Sequence, residues 1–528
     1  MSLEPQGADA SAGQGRHGGG RGRDGTQENP PRRRRRALRW SATVLAVVIL
    51  GTAGAGYLYY QHLNGNIRKD PLNIGDAKDR AAASQANAAG QTPLNILLIG
   101  SDGRNNKEDQ KLGGAKDTFN TAPRADVQML LHLSADRTNM SVVSMPRDTR
   151  LDMPKCTDPD SGKVYQATTF TMTNDSLGRG GPGCTVATWE KLTDIHIDHF
   201  MMIDFAGVVS MADAIGGVPV CVDANIHSKD RLGHGSGLKL KKGTTDIKGV
   251  QALQWLRTRY GFEDNTDIAR AKAQHQYMNA MVRQLRENAT LSNPGKLQSL
   301  AETATKALTV DDGLGTVAKL YDLSKELKKV PTKRITMTTM PWQYVSATDG
   351  RVVPKPGDAA KLFRLVREDI ALDGKSQRKE STAAKASSDP AAADDKIAVQ
   401  VENGTRSETL APVRGRANTV AQLLLGKGFT QAVADRSAAL SEATTVIRYP
   451  SADLEGDAQR VAKALGIPVA AVKKSTDVSG ITLVVGADWR SGTKYTAPKE
   501  DDSTPDSAQV INGADKKQCM HVNPGYTW

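Results

Sequence analysis

The sequence predicts an α/β protein whose mixed central sheet is flanked by helices, followed by a small separate α/β domain and preceded by one N-terminal transmembrane helix. Three observations carry this. Short β-favourable apolar runs, Leu94–Ile99, Val127–Leu133 and Met140–Met145, cluster early. Apolar residues at three- and four-residue spacing dominate later. A polar break over 373–396 then precedes a second alternation of strands and helices. At 528 residues with 38% hydrophobic content, the chain can fill more than one core.

Residues 1–39 hold nine Arg against four acids, +5 of the formal net charge of +12, and are otherwise Gly-rich and polar. Such a segment lacks the apolar area to fold, so a disordered basic leader is expected. Charge then vanishes, and 40–62 is long and apolar enough to cross roughly 30 Å of hydrocarbon. Arg32–Arg36 precede it directly, which by the positive-inside rule leaves the leader cytoplasmic and the bulk of the chain extracytoplasmic, with Tyr57, Tyr59 and Tyr60 as an anchor on the far side. Small residues at 52–56 offer the alternative of a cleaved signal peptide, against which stand the long apolar segment and the extended leader. An arginine run in a basic chain also raises nucleic-acid binding. Topology accounts for the run, the remaining excess of +7 is mild, and no nucleic-acid partner is expected.

A polar stalk, 63–92, leads to a first domain over 93–372. Its first three strands are the runs named above, the second and third joined by a turn at Ser134–Asn139. Helices are expected at Thr185–Leu192, Phe205–Ala214, Ile247–Gln254 and Asp267–Glu287. His196, Asp198 and His199 invite a metal reading, but they alternate with Ile195, Ile197 and Phe200 as in a half-buried strand. Gly178–Gly183 is dense in glycine yet lacks the Lys-Ser/Thr ending of a P-loop, and reads as a loop. After the 373–396 linker, 397–489 reads strand, helix, strand, helix, strand (Ile397–Val401, Thr419–Leu425, Thr445–Tyr449, Asp457–Leu465, Ile481–Val485), with Gly426 and Gly466 as helix caps. A polar tail covers 490–528.

The four cysteines, Cys156, Cys184, Cys221 and Cys519, show no Cys-x-x-Cys spacing. Outside the membrane they can form disulfides; three complete pairings exist, and the loop-rich insertion bracketed by Cys156 and Cys184 favours a bridge there.

Several apolar runs end in arginine or carboxylate: Asp102 after the first strand, Arg124 and Asp126 before the second, Arg147 and Asp148 after the third, and then Arg257, Arg259, Asp267 and Arg270. Carboxylates suit a hard cation such as Mg²⁺, and guanidinium forks neutralise phosphate oxygens. In a strand, Arg124 and Asp126 share a face, opposite Val127, Met129 and Leu131. Arg257 and Arg259 converge only if the chain becomes extended after a helix ending near Gln254. Asn265-Thr266 is a helix start, beyond which Asp267, Arg270 and Gln274 form one polar stripe. Single Arg–Asp pairs are often ordinary surface ion pairs; the repetition over four segments points to a pyrophosphate-binding site. Serine-hydrolase, zincin and dinucleotide motifs are missing from the sequence.

Together, Leu94–Arg104, Arg124-Ala-Asp126, Ser144–Thr149, Ile197–Phe200, Asp213–Val218 and Gln251–Arg259 resemble the LytR-CpsA-Psr family over roughly 94–290, and 397–489 looks like its C-terminal LytR-type module. The resemblance implies a membrane-anchored enzyme that transfers a glycopolymer from a polyprenyl-pyrophosphate carrier onto peptidoglycan as a phosphodiester, with Mg²⁺ as cofactor. Carried over by motif, Asp102 and Asp126 bind the metal, and Arg124, Arg147, Arg257, Arg259, Arg270 and Gln274 hold the pyrophosphate. Arg147, Arg259 and Asp267 act in catalysis, with Asp267 or Asp148 as proton acceptor. The chain departs from the family at Met172, where many relatives carry Lys. Rival readings are a pyrophosphatase of the same carrier and a non-enzymatic envelope scaffold.

Overall fold

Apolar strands buried on both faces set the architecture of the computed structural model, which describes residues 32–103, 122–288, 294–375, 387–515 and 518–528, except 85, 88, 347, 388, 408–409, 476 and 498–500. Most of the expected leader, and Arg104, lie outside them. Residues Met1–His62 and Leu63–Trp528 form two units. Helix α1 (Arg32–Asn66) starts at Arg32 rather than at Trp40, so the arginine run is helical and not part of an unstructured leader; Ala, Arg and Leu are good helix formers. Its stretch from Arg39 to Asn66 is long and apolar enough to cross a membrane.

In the second unit, eight strands form one sheet. Across it run β1 (Arg68–Asp70), β6 (Leu308–Asp311), β5 (His199–Ile203), β2 (Leu94–Ser101), β3 (Ala125–Leu133), β4 (Met140–Ser144), β7 (Ile335–Thr339) and β13 (Ile511–Asn512). Strands β2 and β5 are parallel, as are β4 and β7, while β3 runs antiparallel between β2 and β4. The C-terminal ends of β2, β4 and β5 and the start of β3 therefore meet at one edge. Helices α2 (Pro182–Thr193) and α6 (Asp358–Arg367) cover one face, packing Trp189, Leu362 and Phe363 on Leu97, Leu130 and Val143. On the other face, Ile96, Met129, Leu131 and Val142 share a core with Met278 and Val282.

Three helices, α3 (Phe205–Ala214), α4 (Gly249–Arg257) and α5 (Asp267–Asn288), build a further core around Trp255, Phe262, Ala273 and Tyr277. The expected helix Ile247–Gln254 is thus shifted toward Arg257. The expected strand around His196 begins only at His199, because Asp198 accepts the Asn95 N–H and Glu190 the Ile197 N–H, which ties the preceding segment by side chains to β2 and α2 instead of by a backbone ladder.

The smaller module has its own core and five strands: β8 (Ala398–Asn403), β9 (Gln431–Ala439), β10 (Val446–Tyr449), β11 (Val472–Lys474) and β12 (Ile481–Val485), ordered β9-β8-β12-β10-β11. Strands β9 and β11 went unexpected: the first is Ala-rich and polar, the second three residues long. Helices α7 (Arg416–Gly426) and α8 (Glu455–Leu465) match the expected pair. Gly466 caps α8 in the left-handed region, whereas Gly426 is the last helical residue of α7 and Gly428 turns the chain with φ +98°. The expected linker is shorter than 373–396. Asp373 pairs with Arg334 in the first domain, and Asp394 pairs through both oxygens with Arg460 of α8 at 2.7 Å.

The polar tail turns back. Arg364 of α6 binds Asp502, β13 joins β7 as an edge strand, and Cys519 bridges Cys221. The module is therefore inserted in the first domain. The Cys156–Cys184 bridge forms as expected.

Candidate pyrophosphate site

A cavity of about 630 Å³ opens at the sheet edge, between the strand ends and helices α3, α4 and α5. Ligands of open α/β sheets favour such carboxyl strand ends. Asp102 and Asp126 line it, with Arg147, Arg257, Arg259, Arg270 and Gln274. Apolar walls come from Ile203, Phe205, Val208, Val250, Leu253 and Leu256.

Asp126 reaches the cavity through a bulge. Gly100 pairs with Val127 and Ser101 with Ala125, so Asp126 is the extra residue on β3. A bulge re-aims a side chain, and here it also moves Ala125 into the core of Leu130, away from that of Met129 and Leu131. Asp102 is fixed by backbone: its N–H donates to the Arg124 carbonyl at 3.1 Å, and its Oδ1 accepts the Arg124 N–H at 2.6 Å.

Arg147 is the hub. Its Nη1 donates to both Asp126 oxygens at 3.1 Å, and its Nε lies 3.4 Å from Asp148 and 3.5 Å from Asp267. Burial alone would lower its pKa, but Asp126, Asp267 and Asp148 more than offset that and raise it. Thr266 starts α5 by accepting the Ala269 N–H, which places Asp267 in the first turn. Arg270, one turn on and only 7% exposed, meets both Asp267 oxygens at 2.7 and 2.8 Å. Burial pushes the Asp267 carboxyl up, against the pull of Arg270 and Arg147, and pushes Arg270 down. Gln274 is fixed by donating to the Leu256 carbonyl at 3.2 Å.

Arg257 and Arg259 both face the cavity, although the helix runs on to Arg257. Thr258 caps it with extended backbone (φ −65°, ψ 114°), and its hydroxyl donates to the Gln254 carbonyl. The guanidinium of Arg257 sits 5.0 Å from the Phe205 ring.

Three expected residues stand apart, one of them Asp148, which lies outside the lining and against Arg147. Arg124 precedes the strand, is exposed, and turns its Nε to Asp175 at 3.4 Å; it is not among the residues around the cavity. Asp267 also lies outside the lining and behind the arginines it anchors. Gly178–Gly183 forms a turn leading into α2. His199 pairs with Asp311 at 3.0 Å, and among the described residues no group of three or more His, Cys, Asp or Glu is placed to hold a metal. Sequence reasoning missed Tyr260 and the Gly235-Ser236 turn, which line the cavity. Polar glycine-rich loops carry no periodicity to betray them. Arg150 stands opposite Met172 across a short antiparallel strand pair, which places a cation beside it.

Residues 59–363 match the model of the LytR_cpsA_psr family, and 396–489 match the domain described as LytR cell envelope-related transcriptional attenuator. Among relatives, the cell wall biosynthesis protein LcpA of Corynebacterium glutamicum is 26% identical over 58% of this chain and 59% of its own length. A polyisoprenyl-teichoic acid–peptidoglycan teichoic acid transferase, TagU of Bacillus cereus, is 24% identical over 56% of this chain and 84% of its own. Among solved structures, a LytR-Csp2A-Psr enzyme from Actinomyces oris is 21% identical over 57% of this chain and 96% of that one, with a TM-score of 0.40. The chain thus spans about three fifths of LcpA. With more than half of its length matched, this chain belongs to the LytR-CpsA-Psr family.

Proposed function

We propose that this protein transfers a glycopolymer from a polyprenyl-pyrophosphate carrier to peptidoglycan, forming a phosphodiester at the outer face of the membrane that α1 spans. The observation that carries this is one cavity lined by four guanidiniums and three carboxylates, Asp102, Asp126 and Asp204, beside apolar helical walls. The arginines fit the pyrophosphate, and the walls of α3 and α4 fit the start of the lipid chain. TagU and TagV are named for transfer of polyisoprenyl-linked teichoic acid to peptidoglycan. The arginine run at the start of α1 favours a cytoplasmic N-terminus.

Asp102 and Asp126 would hold Mg²⁺. Two carboxylates fit an ion that keeps its other positions for phosphate oxygens and water. Bound there, it would neutralise charge on the phosphates. In the transfer, an acceptor hydroxyl oxygen bonds to the polymer-side phosphorus and the bridging P–O bond breaks. The proton ends on the departing polyprenyl phosphate. Arg147, Arg257, Arg259 and Arg270 stabilise the charge that builds as it leaves. Asp148 and Asp267 stand behind Arg147 and hold its fork in place.

The test is incubation of the purified protein with polyprenyl-pyrophosphate-linked glycan, peptidoglycan oligomers and Mg²⁺, with mass spectrometry of the acceptor. A phosphodiester conjugate, lost with EDTA and in Arg147→Ala or Arg259→Ala, supports the reading. Polyprenyl phosphate without conjugate would make the protein a hydrolase, and full transfer by both variants would refute the assigned site.

A further inference from the structure

The segment from Thr258 to Thr266 carries Arg259 into the cavity and delivers Asp267 to the first turn of α5. Its backbone is unusual: Gly261 has φ +113°, and two residues with side chains, Glu263 and Asn265, have φ +47° and +62°. Left-handed backbone at non-glycine residues persists only where the surroundings over-determine it. Arg259 adds little of its own, since its buried Nε makes no hydrogen bond among the described residues. Something else must hold the loop.

The loop holds itself in part, with the Gly261 N–H donating to the Asn265 side-chain oxygen and Lys272 pairing with Glu263, both at 2.7 Å; the rest of the hold is the returning tail. Val522 bridges Phe262 in antiparallel fashion, the Glu263 N–H donates to the His521 carbonyl at 2.9 Å, and the Asn523 N–H donates to the Gly261 carbonyl at 3.0 Å. The Asn523 side chain donates to the Glu263 carbonyl at 2.8 Å, and the Tyr526 ring stacks on Tyr260 at 6.4 Å. The tail is itself pinned. Cys519 is bonded to Cys221, Met520 exchanges backbone hydrogen bonds with Cys221 and Asp223, and Asp223 accepts from the Val522 N–H at 2.8 Å and meets His521 at 2.6 Å. Met520 and Val522 are buried in the core of Trp255 and Phe262.

We propose that residues 519–526 are a positioning strap: they impose the backbone that aims Arg259 at the pyrophosphate, with Asn523 and Tyr526 as the positioning residues. This rests on the pyrophosphate reading of the cavity. Among the described residues, none of 519–526 lines the cavity, and the strap meets it through Tyr260 and the loop, so it acts on Arg259 and not on the ligand.

The test uses the full chain in detergent, titrated calorimetrically with inorganic pyrophosphate and Mg²⁺, alongside hydrogen exchange of the amides of 259–266. Asn523→Ala and Tyr526→Ala should each weaken pyrophosphate binding, by about tenfold for the lost Asn523 bond, and speed exchange in the loop. Tyr526→Phe keeps the ring and should behave as wild type. In an Arg259→Gln background, Asn523→Ala should cause no further loss of affinity, because both changes remove the same contact; a purely structural role would weaken binding in both backgrounds. Wild-type affinity in Asn523→Ala, or equal losses in the two backgrounds, would overturn the strap. A wild-type protein that binds no pyrophosphate would refute the reading of the cavity, and the strap then stands or falls on exchange: faster in Asn523→Ala upholds it, unchanged overturns it.

Discussion

Arg270→Gln isolates the innermost charge pair of the site. Arg270 is 7% exposed and meets both oxygens of Asp267, whose other ion-pair partner, Arg147, stands off at 3.5 Å and is shared with Asp126 and Asp148. Removing one partner of a buried pair leaves the other charged and uncompensated, at a cost of roughly 3–5 kcal/mol. At neutral pH that amounts to a fall in melting temperature of roughly 3–5 °C for a unit of this size. The loss should depend on pH. Burial already raises the folded-state pKa of Asp267, and losing Arg270, the strongest opposing influence, raises it further. A carboxyl with a raised folded pKa penalises folding fully above that pKa and not at all below its unfolded value of about 3.9. The deficit of Arg270→Gln relative to wild type should therefore be largest near neutrality and shrink as pH falls through the folded pKa of Asp267. Calorimetric melting of both proteins at about pH 4.5 and about pH 7.5 reads this directly. A deficit under about 1 kcal/mol, or one that is the same at both pH values, would refute the account of a buried, arginine-dependent carboxylate.

Asp102→Asn and Asp126→Asn should each raise the Mg²⁺ concentration needed for half-maximal pyrophosphate binding by about tenfold or more, measured by calorimetry; Asp126→Asn should additionally loosen Arg147. Cys156→Ser opens a loop with a sequence separation of 28 and should cost about 3.5 kcal/mol by loop entropy, seen as a lower denaturant midpoint. His275 is fully buried in α5, and burial pushes its pKa down to about 4. Its neutral form is the folded one, so wild type should lose roughly 3 kcal/mol as pH falls from about 6.5 to about 4. His275→Gln should remove that part of the acid sensitivity in urea titrations.

The elements that sequence periodicity could reach were those with one dominant contact face. Leu94–Ile99 and Phe205–Ala214 read directly because their apolar residues are contiguous or helically spaced. The arginine and aspartate set was legible because charges at strand ends have few other reasons to recur. What escaped depends on contacts that local patterns do not encode. The Ala-rich β9 is a strand only because β8 offers it a parallel partner. The bulge that turns Asp126 inward is a register shift between β2 and β3, invisible in either strand alone. Arg124, two residues from Asp126, looked equivalent to it, but it precedes the strand and pairs with Asp175. The polar tail was misjudged for the opposite reason: its buried side chains, among them Tyr495, Ala508, Ile511, Met520 and Val522, are too widely scattered to register as a pattern.

Insertion of the small module has a consequence for how the molecule is made. A ribosome completes residues 63–372 long before it reaches Ile511 and Cys519, so the large domain must wait, with β7 lacking its edge partner and Cys221 its bridge, while 397–489 is synthesised and folds. The later-made part finishes the earlier-made one. An exposed strand edge and an unpaired thiol invite wrong partners, and a gene fragment that stops at the linker would preserve that unfinished state permanently.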